Sequence, residues 1–399
     1  MKTKEKRKLC LAYAAGPGDI VNTFSFWQKG QDDPHQIAVT YSSLFFDVCR
    51  NLDARGVAIS SCPRKDLTEN DQFHIENLPK KTSSNRFARH LQQIMYVREV
   101  IRKAIEENAD LLIMADSTGY FFPFSWFATQ NLQLVPTLHC TLWAKSRENS
   151  AMQRMVNRLN RNIFRKRSKA VLCLSEDIHR QIRFITGNKT RPVYHFIPHY
   201  RKGLFDALQS PPSRRPFNLL YAGRLETDKG IFDLLQIAES LAMMGNRDII
   251  FHLCGNGTEE NALRNAAEEK KLTSCFLIHG YCRQDQMLHH IGESHAFIVP
   301  TRTTFMEGFN KVVAEAMLAG RPVITSTVCP ALEYVREGVV EVPPDDVNGY
   351  LEAVIRLSSD SAFYHEKRMG CRLVQEQFYD KSRSWGSALL NIIMEQAHG

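Results

Sequence analysis

HAFIVPTRTTFMEGFNKVVAEAMLAGRPVIT, residues 295–325, changes character four times. His295 to Thr301 is a short apolar run that reads as a buried strand. A polar loop follows, and Asn310 opens a helix that Gly320-Arg321-Pro322 closes, glycine and proline being the residues that stop helices. Val323-Ile324-Thr325 then begins another strand. Strand, loop, helix, strand is one turn of a parallel α/β sheet, whose ligands sit at the carboxyl ends of the strands. Glu307, in the loop, is therefore placed where a ligand would be, and Glu315 follows inside the helix.

Two carboxylates raise the question of general acid/base chemistry. Eight positions of helix span about 12 Å, whereas the paired carboxyls of glycosidases stand roughly 5 to 9.5 Å apart. The spacing better suits two acids that hold different hydroxyl-bearing parts of one ligand. A solvated helix face would produce the same pattern.

The neighbouring residues narrow the choice. Glu307-Gly308-Phe309, Glu315-Ala316-Met317 and Gly320-Arg321-Pro322-Val323-Ile324 together resemble the E-x7-E segment of glycosyltransferase family 4. Those are retaining, nucleotide-sugar-dependent enzymes of GT-B fold. The resemblance covers Phe217 to about Leu357 well and the first half of the chain loosely. It implies that Glu307 meets hydroxyls of the donor sugar and Glu315 the nucleotide ribose, with Gly308, Phe309 and Asn310 completing the donor loop. One departure is visible, since the family usually has Gly at the position of Asn310.

The rest of the chain fits a two-domain α/β protein. With 399 residues, 43% hydrophobic and 24% charged, it has the size and composition of two globular domains. No apolar run approaches the 18 or so residues of a membrane span. Ten cysteines are scattered without metal-binding spacing, which fits buried thiols in a reducing compartment and predicts neither disulfides nor zinc. Leu9 to Ala15 after a basic start could imitate a signal peptide. A first strand running into Gly16-Pro17-Gly18 explains it better, and a cytoplasmic protein is expected.

The strand expected at Lys8–Ala14 is followed by a loop in which Gly16 and Gly18 let the backbone approach a ligand, although a plain turn would look the same. Alternating segments then predict helices at Ser42–Ala54, Ser83–Asn108 (Phe87, Ile94, Val97, Ile101, Ile105) and Phe121–Ala128. They predict strands at Val57–Ser61, Asp110–Met114 and Leu134–Leu138. His139, at the end of the last of these, is either a structural histidine or a cleft residue. The resemblance implies a place near the transferred sugar and the acceptor, with Asp116 as an acceptor-side candidate.

Between Ala144 and Ala170 stand nine Lys and Arg against one Glu, Glu148, an excess equal to the chain's whole net charge of +8. Met152, Met155, Val156, Leu159, Ile163 and Phe164 form an apolar stripe there, beside Arg154, Arg158, Arg161 and Arg165. The pattern suits contact with an anionic membrane surface, or a surface helix with a solvated basic face. Without interleaved aromatics it does not suggest nucleic acid. A strand at Lys169–Ser175 with Ser175 capping the next helix, and another ending near His199, complete the first half.

Residues 1–200 are read as an N-terminal, acceptor-side Rossmann-like domain, and 201–216, with its prolines and arginines, as a linker. Residues 217–380 are read as a C-terminal, nucleotide-sugar-binding Rossmann-like domain. In the stretch 381–399, Trp385, Leu389 and Ile392 make a helix stripe expected to cross back to the first domain. The second domain opens with a strand to Arg224, and Thr227-Asp228-Lys229-Gly230 starts a helix. Arg224 and Lys229 beside a helix N-terminus make a phosphate site, or ion pairs with Glu226 and Asp228. The GRL…DKG segment also resembles the diphosphate-binding segment of the family. Gly255 and Tyr281, at later strand ends with Thr258 as a helix cap between them, are candidates for the wall around the nucleotide base.

The fold class expected is α/β, two doubly wound parallel-sheet domains facing a cleft. The function expected is a hexosyl- or related glycosyltransferase of polysaccharide or glycolipid biosynthesis, moving a sugar from a nucleotide sugar to a glycan or lipid-linked acceptor. Its catalytic residues would be His139, Glu307, Arg224 and Lys229. No Asp-x-Asp is present to bridge a metal to diphosphate, so no metal and no cofactor are expected. The same scaffold serves sugar-nucleotide epimerases and phosphorylases, and a non-catalytic membrane scaffold would use the basic helix alone.

Overall fold

A computed structural model describes residues 7–81, 85–116, 118–144, 149–209, 211 and 215–395. Lys145, Arg147, Glu148, Pro212, Arg214 and the end of the tail lie outside the described residues, as does the side chain of Phe87.

The first domain is built on an eight-stranded sheet: β1 (Cys10–Ala14), β2 (Arg55–Ser60), β3 (Asp66–Glu69), β4 (Phe73–Asn77), β5 (Leu111–Ala115), β6 (Gln133–Leu138), β7 (Val171–Cys173) and β8 (Val193–His195), in the order 3-4-2-1-5-6-7-8. Every residue of β1 is buried, as a strand covered by helices on both faces requires. Leu9–Ala15 is thus the entry to the centre of a sheet. The pairings are parallel except β3 with β4. That antiparallel edge was not foreseen, because Asp66-Leu67-Thr68-Glu69 alternates exposed and half-buried residues and lacks the apolar run of an interior strand.

Six parallel strands form the second sheet, β9 (Phe217–Ala222), β10 (Ile249–Cys254), β11 (Phe276–Gly280), β12 (Ala296–Val299), β13 (Val323–Ser326) and β14 (Val339–Val342), in the order 11-10-9-12-13-14. The chain runs outward from β9, then returns to lay β12 on its other side. Such a reversal opens a crevice at the strand ends, between the loop after β9 and the loop after β12. The first sheet reverses likewise at β1 and β5.

Local chemistry modifies several expected elements. The long helix runs Arg86–Glu106, with Val97 and Ile101 in the core but Ile105 facing solvent. Ser175 holds the cap position of helix Glu176–Thr186, yet its hydroxyl makes no capping bond. Thr258 caps nothing; the helix begins at Glu260 after Glu259, and the Thr258 hydroxyl and amide bind Glu226 instead. The basic segment is a helix over Ala151–Asn162 that widens into a π-turn at Ile163–Arg167. Its apolar stripe is split: Val156, Ile163 and Phe164 are buried, while Met152 and Met155 lie open. All ten cysteines are free thiols, and among the described residues no helix is long and apolar enough to cross a membrane.

Two stretches of chain pass between the domains side by side. The Ile197 amide donates to the Arg383 carbonyl at 3.0 Å and the Tyr200 amide to the Phe378 carbonyl at 3.0 Å. The last helix, Trp385–Met394, leaves the second domain and packs on the first with Trp385, Leu389 and Ile392 buried. The Trp385 indole donates to Thr137 Oγ1 on β6 at 2.9 Å and lies against Tyr13 and Tyr41. Trp385→Ala should remove about 3–5 kcal/mol of stability, read as a fall in urea midpoint. The same loss should not follow from changing Trp126, whose side chain is largely exposed.

Candidate active site between the two domains

The site begins with the adjacency of β9 and β12. After β9 the chain passes Gly223 and Arg224, makes a short turn over Thr227–Lys229, and enters helix Ile231–Met243 through Gly230. Gly230 has φ +75, and a Cβ there would stand 2.2 Å from the Pro300 carbonyl oxygen. Only glycine allows the two loops to approach this closely. Arg302 donates through Nε and Nη2 to the two carboxylate oxygens of Asp233 on that helix, which fixes the loop after β12 against it.

This packing sets Lys229 Nζ 2.8 Å from Glu307 Oε2, in an ion pair with little solvent exposure. Lys229 Nζ also lies 3.5 Å from the centre of the Phe305 ring, and the Arg224 guanidinium 5.4 Å from the same ring. In place of the surface ion pairs with Glu226 and Asp228, Lys229 is held by Glu307 and Glu226 by Thr258. Two cations and one carboxylate therefore meet at the N-terminus of a helix of 13 residues, where free amides and the helix dipole favour an anion.

Gly308 joins this loop to the first domain. A Cβ there would fall 1.8 Å from the His139 carbonyl oxygen and 2.9 Å from the Cys140 Cα. The His139 ring packs on Tyr41, with centroids 4.3 Å apart, and on Phe196. Its Nε2 meets Thr137 Oγ1 at 3.2 Å, and its Nδ1 is buried with no partner. Burial, then the Lys311 charge, pushes its pKa down to about 3. The imidazole is neutral at pH 7, with one nitrogen available.

Asn310 takes the cap position of helix Lys311–Leu318, but its side chain does not cap. It turns instead, with Glu307, Phe305, Arg302 and Thr141, around a small void of ≈ 20 Å³. The Phe309 side chain faces the core. It is buried and packs toward Tyr334 and Phe378, so its side chain anchors the loop to the core.

Glu315 opens onto a cavity of ≈ 290 Å³ that Arg224, Gly255, Tyr281, Cys282, Gln284 and Met287 also line. Gly255, with φ +146, sits where a Cβ would strike the Gly223 carbonyl oxygen at 1.8 Å. Gly16 and Gly18 line a second cavity, ≈ 590 Å³, with Lys311, Tyr41 and Arg64. His35 and Gln36 border both cavities, which therefore adjoin. Asp116 stands apart, taking bonds from Gln93 and Thr118 beside Lys80, with its pKa raised by burial. Arg154, Arg158 and Arg161 are exposed on the surface helix and Arg165 half-buried in the π-turn; none lines these cavities.

Three participants carried no motif. Lys311 sits in the cleft wall with its Nζ 5.0 Å from the Tyr41 ring centre, and burial lowers its pKa. Tyr200 donates to the Lys311 carbonyl at 3.2 Å and leans on Glu315 Oε1 at 3.4 Å. Phe305 is the shared platform of the two cations. A lysine one position after a helix cap was the available signal for the first.

Comparison with known proteins bears first on the second half of the chain. Residues 208–372 match the family model described as Glycosyl transferases group 1. The second half is a glycosyl transferases group 1 domain. Glycogen synthase of Mycobacterium tuberculosis is 26% identical over 251 residues, 61% of this chain and 58% of that protein, so the chain spans a little over half of this curated relative. Sucrose-phosphate synthase from Thermosynechococcus elongatus superposes over 98% of this chain and 99% of its own, with TM-score 0.72 at 16% identity. HepE of Anabaena, solved with UDP and glucose, covers 98% and 100% with TM-score 0.67 at 14% identity. The fold is GT-B, two parallel-sheet α/β domains.

Burial raises the Glu315 pKa to about 7, against smaller opposing effects of Lys311 and Tyr200. An acid raised this way holds its proton in the folded chain and loses it in the unfolded chain between about pH 4.5 and 7. Stability should therefore fall as pH rises through that window and level off above it. Glu315→Gln should abolish that fall, leaving the variant about 1–3 kcal/mol less pH-sensitive by urea unfolding.

Proposed function

We propose that this protein transfers a sugar from a nucleotide-diphosphate donor to a glycan or lipid-linked acceptor, with retention of configuration and without a metal on the diphosphate. The observation that carries the proposal is the meeting of Arg224, Lys229 and Glu307 at the strand reversal, with Glu315 on the adjoining cavity wall.

In the donor complex the diphosphate lies against Arg224, Lys229 and the amides that open helix Ile231–Met243. It takes over the positive charge that Lys229 otherwise gives to Glu307. Glu307 is then free to accept hydrogen bonds from the sugar hydroxyls, while ionised Glu315 accepts them from the ribose. The base occupies the part of the cavity walled by Gly255 and Tyr281. As the bond from the anomeric carbon to the diphosphate breaks, negative charge grows on the leaving oxygens, and the two cations stabilise it where it appears. The acceptor oxygen attacks the same face and its proton passes to a leaving phosphate oxygen. His139, neutral and with Nδ1 unpaired, borders the transferred sugar on the other domain. Because charged side chains neutralise the diphosphate, no bridging metal enters any step.

A UDP-sugar is the first donor to test, since the Anabaena neighbour holds UDP and glucose. Acceptor-dependent release of nucleoside diphosphate should occur with one of the UDP-, GDP- or ADP-sugars. The Glu307→Ala and Lys229→Ala variants should lower it by at least about 100-fold. Excess EDTA in the same assay should leave the wild-type rate within twofold. Loss of activity on chelation, restored by added metal, would refute the metal-free part. Hydrolysis or epimerisation of the donor without any acceptor would point to another activity on this scaffold.

A peripheral contact with anionic lipid at the inner membrane surface belongs to the same proposal. Arg154, Arg158 and Arg161 stand on an open helix face whose Met152 and Met155 are 39% and 50% exposed. Apolar side chains ringed by cations suit a headgroup boundary. Arg158→Glu with Arg161→Glu should weaken binding to phosphatidylserine vesicles at least tenfold and leave transfer to a soluble acceptor unchanged; equal binding by variant and wild type would remove this contact.

A further inference from the structure

Three histidines far apart in sequence meet under the helix Gln284–Glu293. His252 lies on β10, His279 on β11, and His290 on that helix. β10 pairs with β11 so that His252 stands opposite Leu277, and a register shift leaves His279 as the extra residue between Ile278 and Gly280. One ring nitrogen from each of the three lies within 4.8 Å of the other two. His252 Nδ1 and His279 Nε2 face each other at 3.0 Å, and the His279 and His290 ring centres are 4.2 Å apart.

We propose that His252, His279 and His290 bind a zinc ion that ties the helix Gln284–Glu293 to the outer edge of the second sheet. Nitrogens bound at 2.0–2.1 Å around a tetrahedral zinc are about 3.3 Å from each other. The 3.0 Å spacing of His252 and His279 is already close to that value, so little movement is needed to admit the ion. His252 Nε2 is buried with no partner, so hydrogen bonding within the protein leaves the cluster unsatisfied. Neutral imidazole is the form that takes a metal. Arg264, whose charge bears on His279, is held by Glu260 at 2.8 Å. His279 is exposed, leaving a fourth position for water.

The helix so clamped reaches the first domain at its other end. The Gln284 amide donates to the Pro34 carbonyl at 3.2 Å and its side chain to the Gln36 carbonyl at 2.8 Å. Tyr281, Cys282, Gln284 and Met287 wall the cavity of Glu315. Zinc would stiffen that wall without touching the cations that hold the diphosphate, so the inference stands or falls independently of the proposed transfer. Cys254 and Cys282 form a competing set with His290, again within 4.8 Å. Nitrogen ligands are favoured because His252 Nδ1 and His279 Nε2 already stand 3.0 Å apart.

The test is calorimetric titration of the chelator-treated, tag-free full chain with zinc chloride, together with the absorption spectrum of its cobalt form. Expected are one zinc per chain, a cobalt spectrum of tetrahedral type without a thiolate charge-transfer band, and a thermal midpoint raised by several degrees. His279→Ala should weaken zinc binding at least tenfold while Cys282→Ser leaves it unchanged. His290→Asn is the second variant should His279→Ala unfold earlier than wild type without zinc. No stoichiometric zinc in the wild type, equal binding by both histidine variants, or a thiolate band lost in Cys282→Ser would overturn the assignment.

Discussion

The approach of Gly308 to the carbonyl of His139 is the constraint on which the cleft depends. Two backbones from different domains touch there without a side chain between them. Any larger residue would force apart the loop that carries Glu307 and the strand end that carries His139. The same device recurs inside the second domain, where Gly230 lies on Pro300 and Gly255 on Gly223. Close backbone contact at three points turns the strand ends into a rigid floor. The charged side chains gain their fixed positions from that floor more than from their bonds to one another.

Electrostatics follow from this geometry. Lys229 and Glu307 share a poorly solvated position, where neither could be left alone without a large desolvation cost. Their pairing at 2.8 Å gives each side chain a partner in place of water. Glu315, in the helix that follows, answers to burial instead, which pushes its pKa up to about 7. The two acids of one sequence motif thus sit in different surroundings. One has a lysine at 2.8 Å, the other a tyrosine hydroxyl at 3.4 Å that offsets its burial only in part.

Much of this was legible in the chain because it rests on period and punctuation. The run AFIV, the glycine before Arg321-Pro322 and the apolar stripe from Trp385 to Ile392 state their structures locally. So do Arg224 and Lys229, whose place beside a helix start follows from short-range order. What stayed hidden depends on which strands become neighbours. Phe309 reads as part of a donor loop until the packing of Tyr334 and Phe378 shows that its ring faces inward. Lys311 and Tyr41 come from opposite domains and acquire meaning only across the cleft. The histidines at 252, 279 and 290 have no motif spacing; strand order alone assembles them. The edge strand Asp66–Glu69 escaped because a solvent-facing strand carries little apolar signal.

The paired passage of chain between the domains has a mechanical consequence. A single connecting segment would let one half swivel freely about the other. Here Ile197 and Tyr200 are hydrogen-bonded to Arg383 and Phe378 as the chain crosses in both directions, which makes a ribbon of two cords. A ribbon bends readily across its width and resists torsion along its length. Such a connection favours rocking of the halves, toward and away from the crevice, over twisting of one against the other.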